Sequence, residues 1–190
     1  MDQSHSLLND NERKLNLMTK VTGSNKGIGF AIVKSLCARF DGVVYLTARD
    51  EVRGRAAIEQ LKILGLNPHF HQLDINDEAS IIRLRDYLNS NYGGLDVLVN
   101  NAAIFIGGSA PFGVQATETL QTNFFSTLNI CEILFPLLRP HGRVVNVSSS
   151  AGHLTHIKGM ESAAVTLRNK LKSPKITKEE LCALVHEFVK

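Results

Sequence analysis

Short apolar runs alternate along the chain with segments in which apolar residues recur at helical spacing. The runs are typical of strands buried on both faces, and the recurring pattern is typical of helices. The predicted strands cover 43–47, 69–75, 95–99 and 143–147. The predicted helices are one that ends near Phe40, one over 51–64, one that Asn76 or Asp77 can cap, and a long one marked by Leu120, Phe124, Cys131, Leu134, Phe135 and Leu138. This alternation predicts an α/β fold with a doubly wound, Rossmann-like parallel sheet.

The beginning of the chain departs from this pattern. Residues 1–14 are polar and predict a flexible tail. Residues 15–21 stand where a central strand should be nearly continuous in apolar residues, but Asn16 and Lys20 interrupt the run. A shortened first strand is therefore predicted, in a domain that covers residues 15–150. No run approaches the roughly 18 apolar residues of a membrane span and no signal-peptide core is present, so we expect a cytoplasmic protein without a membrane partner.

A glycine-rich turn follows the first strand. Gly23, Gly27 and Gly29 lie between an apolar run that ends at Val21 and a helical pattern that begins at Phe30. Such a turn leaves backbone N–H groups free at the positive end of a helix, which favours a pyrophosphate. A tight turn without a ligand is the alternative, because the spacing differs from the commoner G-x-G-x-x-G fingerprint. The dinucleotide contacts predicted in this turn come from Gly23, Ser24, Asn25, Lys26, Gly27, Ile28 and Gly29.

Two cations are placed where they favour NADP(H) over NAD(H). An NAD site has a carboxylate about 20 residues after the glycine turn, and that carboxylate repels a 2′-phosphate. This chain has Arg49 at the end of the second predicted strand, and Lys26 lies inside the glycine turn. Both can bind a 2′-phosphate through charge-assisted hydrogen bonds, whereas the alternative is that both are solvated surface charges. Asp50, one step further along, should point elsewhere.

Further motifs occur in an order that resembles the short-chain dehydrogenase/reductase family. They are Thr22-Gly23 with Gly27 and Gly29, Leu73-Asp74-Ile75, Asn100-Asn101-Ala102-Ala103, Asn123, and Val147-Ser148-Ser149. Within the family, the wording of residues 23–29, 46–50, 70–75 and 122–125 is similar to that of monomeric NADPH-dependent carbonyl reductases. The resemblance implies a monomer that binds NADP(H) and reduces a small-molecule carbonyl substrate, namely an aldehyde, ketone or quinone.

The same resemblance assigns further cofactor contacts at the ends of two strands. Asp74 and Ile75 correspond to the family's adenine contact, and Asn101 and Ala102 lie beside the ribose. Two structural alternatives remain open here. Asp74 can cap the following helix, and Asn100 can tie neighbouring strands together rather than touch the cofactor.

Two catalytic residues are also implied by the resemblance. In the family a serine orients the carbonyl and an asparagine on the long helix holds a water in the proton relay. Ser149 matches the serine, with Ser148 or Ser150 as alternatives in a shifted register, and Asn123 matches the asparagine.

No tyrosine of the chain matches the family's proton donor, which a lysine follows four residues later. Tyr45, Tyr87 and Tyr92 all precede Ser149, and none has that lysine. We therefore expect a sheet that is incomplete at its C-terminal side and a chain without turnover. Two interpretations are compatible with this: a truncated form of a longer reductase, or a noncatalytic NADP-binding or interaction module.

Composition narrows the class of protein. With 44% hydrophobic and 21% charged residues the chain is ordinary for a globular domain. The net charge of +3 comes without a basic run interleaved with aromatic residues, so no nucleic-acid partner is expected. The histidines and the three widely spaced cysteines predict neither a metal site nor a disulfide framework. Residues 151–190 resemble a helical insertion of the carbonyl reductases, with a capping box at Thr177 and Glu180.

Overall fold

The computed structural model describes residues 17–159 and 161–189. The predicted tail over 1–14 and the interruption at Asn16 lie outside these residues. The described chain forms two compact units, one of residues 17–104 and 121–147 and the other of residues 105–120 and 148–189 without Met160. The interpretation of 15–150 as one domain and 151–190 as its insertion stays a prediction.

The first unit is built on a five-stranded parallel sheet, which confirms the predicted fold class. Its strands are β1 Met18–Val21, β2 Val43–Ala48, β3 His69–Gln72, β4 Leu95–Asn100 and β5 Leu138–Asn146. They are ordered β3-β2-β1-β4-β5, and every pair is parallel. The sheet is open, and among the described strands β5 pairs with β4 alone.

The described part of the chain forms seven α-helices. They are α1 Gly27–Arg39, α2 Glu51–Ile63, α3 Glu78–Tyr92, α4 Phe112–Leu120, α5 Thr127–Leu134, α6 Ser162–Lys172 and α7 Lys178–Phe188. Between α4 and α5 the residues Gln121–Ser126 form a π-helix. Short 3-10 turns cover Phe135–Leu137, Ser150–Gly152 and Leu154–His156.

Successive residues of a strand point to opposite sides, so both faces of the sheet carry apolar side chains. Helices cover both faces. On one face, α1 and α2 pack over a buried cluster of Val21, Val33, Val44, Leu46, Ala57, Ile58, Leu61 and Val99. On the other face, α3 and α5 pack over a cluster that includes Met18, Tyr45, Ile81, Leu84, Leu88, Leu98, Ile130 and Leu134. The core of the first unit is therefore a three-layer arrangement, as expected for a doubly wound sheet.

Three element predictions were wrong in their boundaries. The fifth strand was predicted over 143–147, whereas β5 covers Leu138–Asn146. The predicted long helix included Leu138, but that residue begins β5 and pairs with Leu95 of β4. The helical segment ends because Pro136 has no backbone N–H to donate to the preceding turn. The third strand was predicted to reach residue 75 but ends at Gln72. Its end coincides with a turn in which the Asp74 carboxylate accepts a hydrogen bond from Asn76 N at 2.9 Å.

Helix caps follow the predicted signals. Asp77, one of the two candidates, caps α3 by accepting from Ala79 N at 3.0 Å. The capping box of Thr177 and Glu180 is present at the start of α7. Asp50 caps α2, so its carboxylate is engaged in the first turn of that helix.

Lys20 is the one charged side chain in the short first strand. It lies beside Tyr45 of β2 and Leu98 of β4. Its side chain is fully buried, and among the described residues its Nζ has no hydrogen-bond partner. An unpaired ammonium inside a protein is expensive, so burial lowers the pKa of Lys20 well below its usual value. The polar interruption seen in the sequence is thus placed inside the core and weakens it.

Replacing Lys20 by Met should stabilise the protein and change its pH dependence. The folded chain holds a neutral amine and the unfolded chain a protonated one at any pH between the lowered pKa and the ordinary value of 10.5. Stability of the wild type therefore rises with pH in that window, by at most about 1.4 kcal/mol per pH unit from this group. In Lys20→Met that contribution is absent, and the free energy of unfolding at pH 7 rises by about 1 kcal/mol or more.

Urea unfolding at pH 7, 8 and 9 measures this effect. The matched control is Lys34→Met, which changes an exposed lysine of α1 and should keep the wild-type slope. Equal slopes for wild type and Lys20→Met would show that the amine is protonated in the folded state.

Candidate functional site

A cavity of about 420 Å³ opens at the carboxyl ends of the central strands of the first unit. It is lined by Gly23, Asn25, Lys26, Gly27, Ile28, Gly29, Arg49, Leu73, Asp74, Ile75, Asn76, Asn101, Ala102, Ala103 and Ile104. β1 continues through α1 to β2 on one side, whereas β4 lies on its other side, so this is the switch point of the sheet. Open α/β sheets bind their ligands at this point.

The structure thus brings together eleven of the twelve residues that the sequence predicted as cofactor contacts. The exception is Ser24, which does not line the cavity. Four lining residues were missed: Leu73, Asn76, Ala103 and Ile104. Each lies within two residues of a predicted contact, so extending the motifs at the strand ends would have found them.

The glycine turn presents an open helix end to this cavity. Helix α1 begins at Gly27, and the residue before it, Lys26, provides no side-chain cap. Gly27 has a φ of +57°, and a Cβ placed on it would meet no atom within 4 Å. The first N–H groups of α1 and its positive dipole end are therefore available to an anion.

The loops after β1 and β4 are joined by a small hydrogen-bond network. The hydroxyl of Thr22 accepts from Asn101 N and from Ala102 N, both at 2.9 Å. In return, Asn101 Nδ2 donates to Thr22 O and Gly23 O, each at 2.9 Å. The side chain of Asn101 therefore shapes the cavity wall as well as lining it. Its predicted contact with a cofactor stays a prediction.

Gly29 lies against this network. A Cβ on Gly29 would be 2.4 Å from Asn101 Nδ2 and 2.8 Å from Gly23 O, closer than atoms can approach. Only glycine allows α1 to begin at this distance from the joined loops.

Ser24 has a structural task in the sheet. Its side chain is fully buried; Oγ donates to Val21 O at 2.8 Å and accepts from Thr47 N at 3.0 Å. It thereby joins the ends of β1 and β2 next to the glycine turn, and its hydroxyl is turned away from the cavity.

Two cations face the same cavity. Lys26 and Arg49 are exposed, and within the described chain neither forms an ion pair. The nearby carboxylate of Asp50 is engaged at the cap of α2, with Arg53 Nε 3.6 Å from it. Positive charge is therefore free on the side of the cavity where the second strand ends.

The two structural alternatives for the strand ends have different outcomes. Asn100 does tie strands together, because its Nδ2 donates to Asn146 Oδ1 of β5 at 2.9 Å, and it does not line the cavity. Asp74 is not the cap of α3, since Asp77 fills that position. The carboxylate of Asp74 accepts from Asn76 N and lies at the cavity.

The predicted catalytic residues lie in different units. Asn123, in the π-helix, donates through Nδ2 to Ile104 O and accepts at Oδ1 from Ile104 N, both at 2.8 Å. It thus fixes a residue that lines the cavity, and π-helices are frequent at functional sites. Ser149 belongs to the second unit, where its Oγ accepts from Ala151 N at 3.2 Å. A catalytic role for either residue stays a prediction.

The three tyrosines form a cluster of their own. The Tyr45 hydroxyl is 2.7 Å from that of Tyr87 and 2.8 Å from that of Tyr92. Burial, together with these two hydrogen bonds, raises the pKa of Tyr45 far above its ordinary value. None of the three lines the cavity, so none is placed there as a proton donor.

Comparison with known proteins identifies the class. A family model described as short chain dehydrogenase matches residues 18–164, and the chain belongs to this family. Carbonyl reductase 1 (NADPH) of Bos taurus is 53% identical over 176 residues, which is 92% of this chain and 62% of the relative. Carbonyl reductase 3 (NADPH) of Mus musculus is 53% identical over 171 residues, covering 89% of this chain and 60% of the relative. The chain thus spans somewhat less than two thirds of the length of these relatives.

Solved structures show the same architecture. Salutaridine reductase from Papaver somniferum has a TM-score of 0.78 at 32% identity, covering 91% of this chain and 69% of that one. Menthone neomenthol reductase from Mentha piperita has a TM-score of 0.76 at 29% identity, covering 91% and 72%. A short chain dehydrogenase from Burkholderia cenocepacia J2315, solved in complex with NADP, has a TM-score of 0.63 at 28% identity, covering 82% and 64%.

The described residues were also compared with the requirements of a metal site and of a membrane-spanning helix. No group of three or more His, Cys, Asp or Glu side chains there could hold a metal ion. None of the helices described is long and apolar enough to cross a membrane.

Gly29→Ala should destabilise the first unit. The added Cβ must displace the Asn101 side chain or the Gly23 backbone, so the network between the loops after β1 and β4 is lost. We expect the free energy of unfolding to fall by about 1–3 kcal/mol, as for other overpacked sites. Urea unfolding followed by circular dichroism measures it.

Gly113→Ala is the matched control. Gly113 lies in α4, and a Cβ there meets no atom within 4 Å. This variant should be unchanged or slightly more stable, because alanine favours a helix. A Gly29→Ala variant as stable as Gly113→Ala would show that the loops can move apart without cost.

Proposed function

We propose that the chain binds NADP(H) in the cavity at the carboxyl ends of the strands, with a preference for the phosphorylated dinucleotide. The observation that carries this is that Lys26 and Arg49 face the same cavity as the uncapped start of α1. The helix end suits a pyrophosphate, and two cations without carboxylate partners suit a further phosphate. The NADPH in the names of the two mammalian relatives and the NADP in the Burkholderia complex support the proposal.

We further propose that the reaction is the reduction of a small-molecule carbonyl compound, an aldehyde, ketone or quinone. Bound NADPH would supply the hydride. Among the residues of this chain, Ser149 would orient the carbonyl oxygen, and Asn123 would fix the loop at Ile104 beside the cofactor. We also propose that the protein is a monomer and that it is located in the cytoplasm. The carbonyl reductase names of the relatives support the substrate class.

One observation favours a second function, a noncatalytic NADP-binding module. The Tyr45 hydroxyl is hydrogen-bonded to those of Tyr87 and Tyr92 in the first unit, and none of the three lines the cavity. Reduction of a carbonyl needs a proton at the developing alkoxide, and a positioned acid contributes about 100-fold to 10,000-fold. A chain that binds NADP(H) without such an acid would be a noncatalytic binding or interaction module.

Cofactor preference tests the binding proposal. Isothermal calorimetry should show that NADPH binds at least about tenfold more tightly than NADH, because a charge-assisted contact to phosphate contributes more than 1 kcal/mol. Arg49→Ala should lose most of this preference. The control Arg53→Ala removes an exposed arginine that pairs with Asp50 and does not line the cavity, so it should keep the preference. Equal affinities of the wild type for NADPH and NADH would refute the proposal.

Turnover separates the two functions. We expect the chain of 190 residues to oxidise NADPH with quinone or aldehyde at least about 100-fold more slowly than a fusion that continues into the remaining length of the bovine relative. In the fusion, Ser149→Ala should abolish most activity, whereas Ser148→Ala and Ser150→Ala should not. Equal rates for chain and fusion would mean that another group supplies the proton. A fusion that binds NADPH but reduces no carbonyl would favour the noncatalytic module.

A further inference from the structure

We propose that Gln72 and Ser80 are positioning residues that hold Arg49 in place beside the cofactor, through a chain of hydrogen bonds that begins at Asp74 N, and thereby strengthen the preference for NADPH. The inference rests on the proposed function, because it concerns the same cavity. Neither Gln72 nor Ser80 lines that cavity, so both act through the residues that do.

The first link lies where the pairing of β2 and β3 ends. The last backbone hydrogen bond between these two strands runs from Leu73 N to Ala48 O at 2.9 Å. The next carbonyl after β2 is that of Arg49, and it accepts from a side chain instead: Gln72 Nε2 donates to Arg49 O at 3.0 Å. The Arg49 carbonyl, just beyond the end of β2, is therefore bound to β3 through the Gln72 side chain.

The second link is the hydroxyl of Ser80, which is fully buried in the first turn of α3. Its Oγ donates to Gln72 Oε1 and accepts from Asp74 N, each at 3.1 Å. The hydroxyl has one proton, and this arrangement uses it once. The result is a directional chain of hydrogen bonds from Asp74 N through Ser80 and Gln72 to Arg49 O.

This chain of hydrogen bonds connects two walls of the cavity. Arg49 and Asp74 both line it, but they follow different strands and no hydrogen bond joins them directly. The hydrogen bond to Arg49 O holds the backbone at the residue that carries the guanidinium, and a shift of that backbone would move the base of this long side chain and the charge at its end. The two hydrogen bonds of Ser80 are partly buried and the one to Arg49 O is exposed, and consecutive hydrogen bonds of this kind polarise one another. The carbonyl of Arg49 keeps its direction as long as the chain is intact.

A purely structural role predicts a different result. If the two residues only join β3 to α3, their loss lowers stability and weakens NADPH and NADH equally. If they position Arg49, their loss weakens the ligand with a 2′-phosphate more than the one without it. The ratio of the two dissociation constants therefore distinguishes the two roles.

The experiment uses calorimetric titration of the full chain with NADPH, NADH and 2′,5′-ADP. Gln72→Met keeps the length of the side chain and removes both of its hydrogen bonds; Ser80→Ala removes the hydroxyl without adding volume. We expect the NADPH:NADH affinity ratio to fall about threefold to tenfold in Gln72→Met and less in Ser80→Ala, with 2′,5′-ADP weakened in parallel and NADH within about twofold of the wild type. The control Gln60→Met makes the same change at an exposed position of α2 and should keep the wild-type ratio.

Three outcomes overturn the proposal, and only the first of them also overturns the proposed function. A wild type without preference for NADPH overturns it together with the proposed function. A wild type with the preference and a folded Gln72→Met with an unchanged ratio overturn the positioning role alone. Should Gln72→Met fail to melt cooperatively, Ser80→Ala decides, and an unchanged ratio there overturns the role. In Arg49→Ala, adding Gln72→Met should cause no further loss of the ratio.

Discussion

The site depends on the hydrogen bonds between Thr22 and Asn101. They join the loops after the two strands at the centre of the sheet, and they are compatible only with a glycine at position 29. The glycine turn, the start of α1 and the cavity wall after β4 all take their positions from this junction. The network is built from backbone groups and two short side chains, so it leaves little freedom for adjustment.

Much of the fold could be predicted from the sequence, because its signals are local. Apolar runs, helical spacing, the cap at Asp77 and the capping box at Thr177 each depend on a few neighbouring residues. The cavity could be predicted for a related reason: in a parallel sheet the strand ends meet, so motifs at those ends converge. The charges of Lys26 and Arg49 face the cavity as their places in the motifs suggested.

What escaped prediction depends on partners that are distant in sequence. Ser24 lies within the glycine turn, but the carbonyl of Val21 and the amide of Thr47 take up its hydroxyl. Leu138 fits the spacing of the preceding helix, yet it pairs with Leu95 of β4. Likewise, no periodicity shows that Gln72 and Ser80 connect two cavity walls. These assignments need the three-dimensional arrangement of elements, which residue spacing alone does not provide.

The pairing of β1 with β4 has a consequence for the order of folding. Thr22 and Asn101 are 79 residues apart, so the junction forms only after a long loop has closed, and non-local contacts of this kind form slowly. During synthesis, the glycine turn is made long before the strand that completes it. The cavity at the strand ends is thus completed later than the pairing of β1 with β2, which are closer in sequence. A ligand that binds only the finished site would stabilise the folded state by mass action, so its availability would raise the yield of folded protein.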